Sequence, residues 1–185
     1  MPAGGMMNLR RTSLIVAAFL FVGAVNLSAQ DDKYGAVDTV FIEPYKIDAL
    51  NWGINVSLFN DEEIIALSLP LTFSDGKNRI VADSTIFTGG LVENFKVKEA
   101  RSDTAVQCLT IGLINDIGVS VPPLPPGRGR IATVFVSSID KKEISALKVD
   151  TTTTAPSNSL LLVKQPSDPL VPALVIKAPA KSEKK

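Results

Sequence analysis

The feature that most constrains this chain is the two-residue rhythm of its apolar side chains. In Trp52-Gly53-Ile54-Asn55-Val56-Ser57-Leu58-Phe59, Trp52, Ile54, Val56 and Leu58 fall on one face, with Gly53, Asn55 and Ser57 on the other. Successive strand residues point to opposite faces, so this pattern predicts a strand buried on one side. Ile65, Leu67, Leu69, Leu71 and Phe73 repeat it after the polar Asn60-Asp61-Glu62-Glu63, which reads as the turn of an antiparallel hairpin. Pro70 falls on the opposite face of the second strand and has no N–H to give a neighbour, so it predicts an edge position or a bulge.

Further extended runs follow at short intervals. They are expected at Val37–Ile42, Ile80–Phe87, Val92–Lys98, Thr104–Asn115, Ile131–Ser137, Ile144–Val149 and Ser159–Lys164. Turn signals separate them, as in Ser74-Asp75-Gly76-Lys77-Asn78 and Thr88-Gly89-Gly90. No segment carries a 3.6-residue period. The chain therefore predicts an all-β, two-sheet sandwich of about eight to ten strands, largely antiparallel because the connections are too short for crossovers. Pro122-Pro123-Leu124-Pro125-Pro126 reads as a stiff connector ending in a flexible turn at Gly127–Arg130, and Thr151–Ser157 as a polar loop. Pro172–Lys177 is expected along the domain edge, with a disordered tail over 179–185.

The N-terminus has a different character. Arg10 and Arg11 precede the uncharged apolar run Leu14–Val25, which ends in small Ser28 and Ala29. A run of about a dozen residues is too short to span a bilayer core, and the arrangement reads as a secretory signal peptide over residues 1–29. Cleavage after Ala29 leaves a single sandwich domain over 30–178, without a membrane span. It also turns a chain of 19 basic and 19 acidic side chains slightly acidic, which gives no steering toward nucleic acid. Cys108 is the one cysteine and cannot form an internal disulfide, so the core must hold the domain together. That pattern suits an exported bacterial protein.

Four segments, DTVFIEPYKI, NWGINVSLFNDEEIIALSLPLTFS, ADSTIFTGG and GRIATVFVSS, resemble the cohesin-like family of bacterial extracellular β-sandwiches over about residues 37 to 149. Gly129, Ile131, Ala132 and Phe135 match its G-x-I/L-A-x-x-F strand, and Asn60 with Phe73 match the earlier pair. The resemblance implies a jelly-roll sandwich related to carbohydrate-binding modules, acting in adhesion or assembly. It is to a single module rather than to a scaffoldin: the sequence carries no linker to a second copy and no duplicated calcium loop.

Chemistry is sparse. The chain has no histidine, which removes Ser-His-Asp triads and His-based zinc or copper sites. Cys108 sits in a strand pattern and is expected to be buried and inert. Asp61, Glu62, Glu63 and Asp83 are the carboxylates a glycosidase would need, but they fall in turns or at strand edges and read as solvated charge. Asp61-Glu62-Glu63 and Asp75-Gly76-Lys77-Asn78 could each supply part of a calcium site, without the spacing of an EF-hand. Pro-x-x-Pro beside Arg128 resembles an SH3 ligand, but those readers are intracellular. Arg128 and Arg130 are too few for nucleic acid. Trp52, Tyr34 and Tyr45 are the rings a sugar platform would use, with Trp52 expected in the core. Asn55 in Asn55-Val56-Ser57 lies mid-strand and is discounted as a glycosylation site.

The expectation is therefore a secreted, non-catalytic module with no catalytic residues, cofactor or metal, whose binding residues the sequence does not name. It engages an extracellular protein partner or, alternatively, a polysaccharide. Thr88–Gly90 and Pro122–Arg130 are the segments singled out for a protein partner, Tyr34 and Tyr45 for a glycan.

Overall fold

A computed structural model describes residues 35–115, 121–152, 160–164 and 166–179. The expected signal peptide, Tyr34, most of the Thr151–Ser157 loop and the tail beyond Pro179 lie outside the described residues. Eleven strands follow one another: β1 (Thr39–Lys46), β2 (Asn51–Asn60), β3 (Ile64–Ser74), β4 (Ile80–Ile86), β5 (Val97–Asp103) and β6 (Cys108–Ile114). They continue as β7 (Gly127–Ser138), β8 (Lys148–Thr151), β9 (Leu161–Lys164), β10 (Asp168–Leu170) and β11 (Ala173–Ile176). The described residues contain no helix. The protein is an all-β, two-sheet sandwich.

One sheet has the order β11-β1-β2-β7-β4; the other runs β10-β9-β3-β6-β5, with β8 also paired to β3. Every pairing is antiparallel except that of β1 with β11, which runs parallel from Thr39 beside Ala173 to Ile42 beside Ile176. The alternation seen in the sequence places Trp52, Ile54, Val56 and Leu58 of β2 in the interior opposite Leu67, Leu69, Leu71 and Phe73 of β3, and these side chains belong to one continuous core. Burying such aliphatic chains contributes roughly 1.5–3 kcal/mol each, which makes the space between the sheets the main source of stability.

Several expectations need correction. Trp52–Phe59 and Ile64–Phe73 are not a hairpin: β2 pairs with β1 and β7, and β3 with β6, β8 and β9. Asn60–Glu63 carries the chain across the core from one sheet to the other. The Asn60 side-chain amide holds this crossing by donating to the carbonyls of Glu62 (2.7 Å) and Pro125 (3.1 Å). Val92–Lys98 is mostly turn, and its strand begins only at Val97; Val92 and Phe95 are buried without being extended. Thr104–Gln107 is the turn joining β5 to β6, not the start of a long strand. Ile144 and Leu147 fill the core from coil, so the strand expected over Ile144–Val149 starts at Lys148. Gly127–Arg130 is the beginning of β7 rather than a flexible turn.

Pro70 lies inside β3, between neighbours, yet costs no ladder bond. Ile65 and Phe73 exchange backbone bonds with the Asn115 and Gln107 ends of β6, so the even positions of β3 face the other side. On that side β9 pairs as far as Ser68 and β8 begins at Leu71, which leaves Pro70 in the gap. Pro172–Lys177 lies along a sheet edge as expected, because β11 closes the five-stranded sheet.

Candidate functional site at one end of the sandwich

The start of β1, the end of β2, the starts of β3 and β7 and the end of β9 all meet at one end of the molecule. Two loops singled out in the sequence are stitched together there. Leu91 donates its N–H to the Arg130 carbonyl (2.8 Å), and the Arg130 guanidinium donates to the carbonyls of Thr88 (3.3 Å) and Gly89 (3.4 Å). Gly90 lies so close to the Arg130 carbonyl that a Cβ would stand 2.5 Å from it, so a larger residue would force the loops apart. The Pro-rich strap is pinned by a two-way backbone pair between Leu124 and Ile64 (2.9 and 3.0 Å). Thr88 and Pro125 remain exposed. The two loops are thus tied to each other and to the start of β3 by backbone and side-chain hydrogen bonds.

A charge cluster, buried at Asp38 and Lys164 and half-buried at Asp61 and Glu62, lies at the same end. Asp38, fully buried, precedes β1; Asp61 and Glu62 sit on the crossing between the sheets; Lys164, 4% exposed, ends β9. Lys164 Nζ stands 2.6 Å from Glu62 Oε2 and 3.8 Å from Asp38 Oδ2. The Asp61 N–H donates to Asp38 Oδ1 (3.1 Å), and Asp61 Oδ2 accepts from the Ala36 N–H. Burial is the main influence on Glu62; it raises the carboxyl above its ordinary range, with the contact to Lys164 acting the other way. Burial also pulls Asp61 up, but a hydrogen bond from Glu62, the Ala36 N–H and the Lys164 charge outweigh it and hold Asp61 low.

Asp38, Asp61 and Glu62 bring oxygens within 4.8 Å of one another, a spacing that a divalent cation could use. The lysine ammonium already stands among those oxygens and supplies the positive charge. The structure thus joins two of the carboxylates named from sequence, Asp61 and Glu62, to two residues that were not named, Asp38 and Lys164. Their signal was present: Asp38 is in phase with Val40 and Ile42, and Lys164 with Leu160 and Leu162, so alternation itself directs both charges inward.

The other sequence candidates stand apart. Glu63 is exposed. Asp83 lies on β4 and accepts from the Ser137 hydroxyl (3.0 Å). Asp75 is at the far end of β3, where Oδ1 closes its own turn by accepting from the N–H groups of Lys77 (2.9 Å) and Asn78 (2.7 Å). It cannot share an ion with Asp61. Cys108 is buried, as is Trp52, whose indole N–H donates to the Ile144 carbonyl (3.2 Å). Tyr45 lies flat over Gly53 on the outward face of the five-stranded sheet. On that face Phe41 carries the Arg128 guanidinium 4.4 Å from its ring centre.

No protein-family model matches the chain, and no curated protein matches it by sequence. Solved structures do match it by shape. A type I cohesin from Clostridium thermocellum, solved in a cohesin–dockerin complex, superposes with a TM-score of 0.58 at 11% identity, covering 78% of this chain and all of the other. The fold is cohesin-like. A cohesin of Acetivibrio cellulolyticus bound to a dockerin gives 0.56 at 14% identity, over 77% of this chain and 99% of its own length. A non-cellulosomal cohesin from the archaeon Archaeoglobus fulgidus gives 0.51 at 12%, over 80% and 94%. These matches cover 77% to 80% of the chain, and the resemblance read from its strand motifs is one of architecture.

Proposed function

We propose that this cohesin-like domain is a non-catalytic module that binds an extracellular protein, presenting the joined Thr88–Leu91 and Pro122–Arg130 loops to its partner. The observation that carries this reading is the match in fold to cohesins solved in complex with dockerins. Two features of the chain support it. The two loops are tied together by hydrogen bonds, which lowers the conformational entropy lost there on binding. The carboxylates of Asp38 and Glu62 at this end lie against the Lys164 ammonium, an ion-pair arrangement that suits a structural role. Export through the N-terminal segment would place the module outside the cytoplasm.

A glycan reading rests on the outward face of the five-stranded sheet. Register places Tyr45, Gly53 and Phe135 in one row, with Glu43, Asn55 and Thr133 in the next. Aromatic rings beside hydrogen-bonding groups suit a sugar ring. Tyr45, however, spends its face on Gly53, which favours the protein reading.

Immobilised domain should capture a discrete protein from the extracellular fraction of the source organism. Thr88→Arg with Pro125→Arg should lower that capture at least tenfold, and Tyr45→Ala should leave it unchanged. Thr110→Arg, on the outward face of β6, tests the sheet as the binding surface instead. Binding to a glycan array that Tyr45→Ala abolishes, with no protein captured, would overturn the proposal.

A further inference from the structure

Lysine is among the residues least often found inside a protein, because desolvating its ammonium is expensive unless a partner repays the cost. Here a buried lysine meets two carboxyl groups, and their arrangement has an order to it. Lys164 Nζ lies on the Oδ2 side of Asp38, at 3.8 Å. The opposite oxygen, Oδ1, is held by the Asp61 N–H at 3.1 Å. Glu62 Oε2 touches the same Nζ at 2.6 Å. An amine near one carboxyl oxygen, a fixed donor on the other and a carboxyl in contact with the amine are the parts needed to make an amide.

We propose that Lys164 and Asp38 are joined by an amide bond between Nζ and Cγ, formed in the folded chain with Glu62 carrying the protons. The ammonium of Lys164 first gives a proton to Glu62, which passes it to Asp38 Oδ2 and leaves an amine beside a neutral carboxylic acid. The freed nitrogen lone pair then attacks Asp38 Cγ, making the new N–C bond and moving the C–Oδ1 π electrons onto Oδ1. The Asp61 N–H donates to that oxygen as its charge develops. A second nitrogen proton then leaves and is delivered through Glu62 to Oδ2. The Oδ1 lone pair re-forms the carbonyl as the Cγ–Oδ2 bond breaks and water departs. One ammonium and one carboxylate become one neutral amide and one water, and Glu62 ends as it began. No oxidant, reductant or cofactor is consumed.

Three features favour the forward direction. Holding both groups in one site replaces a bimolecular encounter with an intramolecular one, worth several orders of magnitude in rate. Asp38 is 0% exposed, so the product leaves an ion pair's desolvation cost behind and is shielded from hydrolysis. Glu62 is a stronger base than an ordinary carboxylate, because burial raises it, and so it can both take and return a proton. Among the described residues, the charged groups beside it are Asp38 from the lead-in to β1, Asp61 next to it and Lys164 from β9.

Intact mass of the purified wild-type protein tests the bond directly. The expected mass is one water below that of the same chain with its measured N-terminus. Trypsin should fail to cut after Lys164, and the peptide bearing Asp38 should appear linked to the one bearing Lys164. Lys164→Arg, which keeps the charge, and Glu62→Gln should each restore the full mass. A wild-type protein of full mass, giving the two peptides separately, would overturn the proposal. A linked peptide that persists in Glu62→Gln would overturn the role given to Glu62. Neither readout depends on partner binding, so it stands or falls apart from the function proposed above.

Discussion

Tyr45 and Gly53 face each other across β1 and β2, and the tyrosine ring fills the space a side chain at 53 would occupy. Glycine there is a matter of packing and not of backbone freedom. Gly53→Ala should displace the ring and cost about 1–3 kcal/mol of stability, as overpacking usually does. In a Tyr45→Ala background the same substitution should cost little, since alanine suits a strand better than glycine. Denaturant unfolding of the two single variants and the double variant measures the coupling, and additive effects would refute the contact. Lys164 makes the complementary point: it was legible as an inward-facing residue from the phase of its strand, but a lysine tends to be read as surface. The phase was the better guide, because a one-residue shift of register would have exposed Leu160 and Leu162 instead.

At the scale of the elements, the turns depend on carboxylates. Asp48 is held below its ordinary value first by the Asn51 side chain and then by the Leu50 N–H. Asp140 is lowered by the Arg79 N–H and, after a smaller opposing effect of burial, by the Arg79 side chain. For Asp75 burial pulls upward, but the N–H groups of Asn78 and Lys77 prevail and hold it low. A carboxyl lowered on folding stabilises the fold fully above its unfolded value, 3.8 for Asp, and loses that contribution as pH falls through the lower folded one. Asp75→Asn should therefore lower the thermal midpoint at neutral pH, and the gap to wild type should close in stronger acid. A gap independent of pH would show that the charge is not what closes the turn. These turns were legible from their Asp, Asn and Gly residues. The strand partners were not, because a period of two says which face is buried but not which neighbour is paired, and so Asn60–Glu63 looked like a hairpin. Likewise only Val97 and Lys98 of β5 fell within an expected run: most of Val97–Asp103 is exposed on both faces, and an edge strand of that kind leaves no alternation to read. Ile144 and Leu147 erred in the other direction, since core-filling coil carries the same apolar spacing as a strand.

For the whole molecule, two sheets around one core were legible from the alternation and the cohesin-like sandwich from the resemblance of four strand segments, whereas the pairing of β2 and β3 with other strands was not. The fold closes by laying the last described strand, β11, alongside the first, β1, in the same direction. The described chain thus enters beside the start of both strands and leaves beyond the far end of β11, where the Lys177 N–H still donates to the Ile42 carbonyl (2.9 Å). A tension applied between the N-terminal side of β1 and the C-terminal side of β11 therefore slides the two strands lengthwise against each other. The bonds joining them share the load and must yield together, whereas a hairpin pulled from its open end parts one bond at a time. Pulling on single molecules should give a high rupture force in this direction. Val175→Pro, which removes an N–H from β11, should lower that force well before it alters the chemical unfolding midpoint to the same degree. An amide from Asp38 to Lys164 would divert the pull into β9 ahead of β1. A module built this way bears a lengthwise load through many bonds at once.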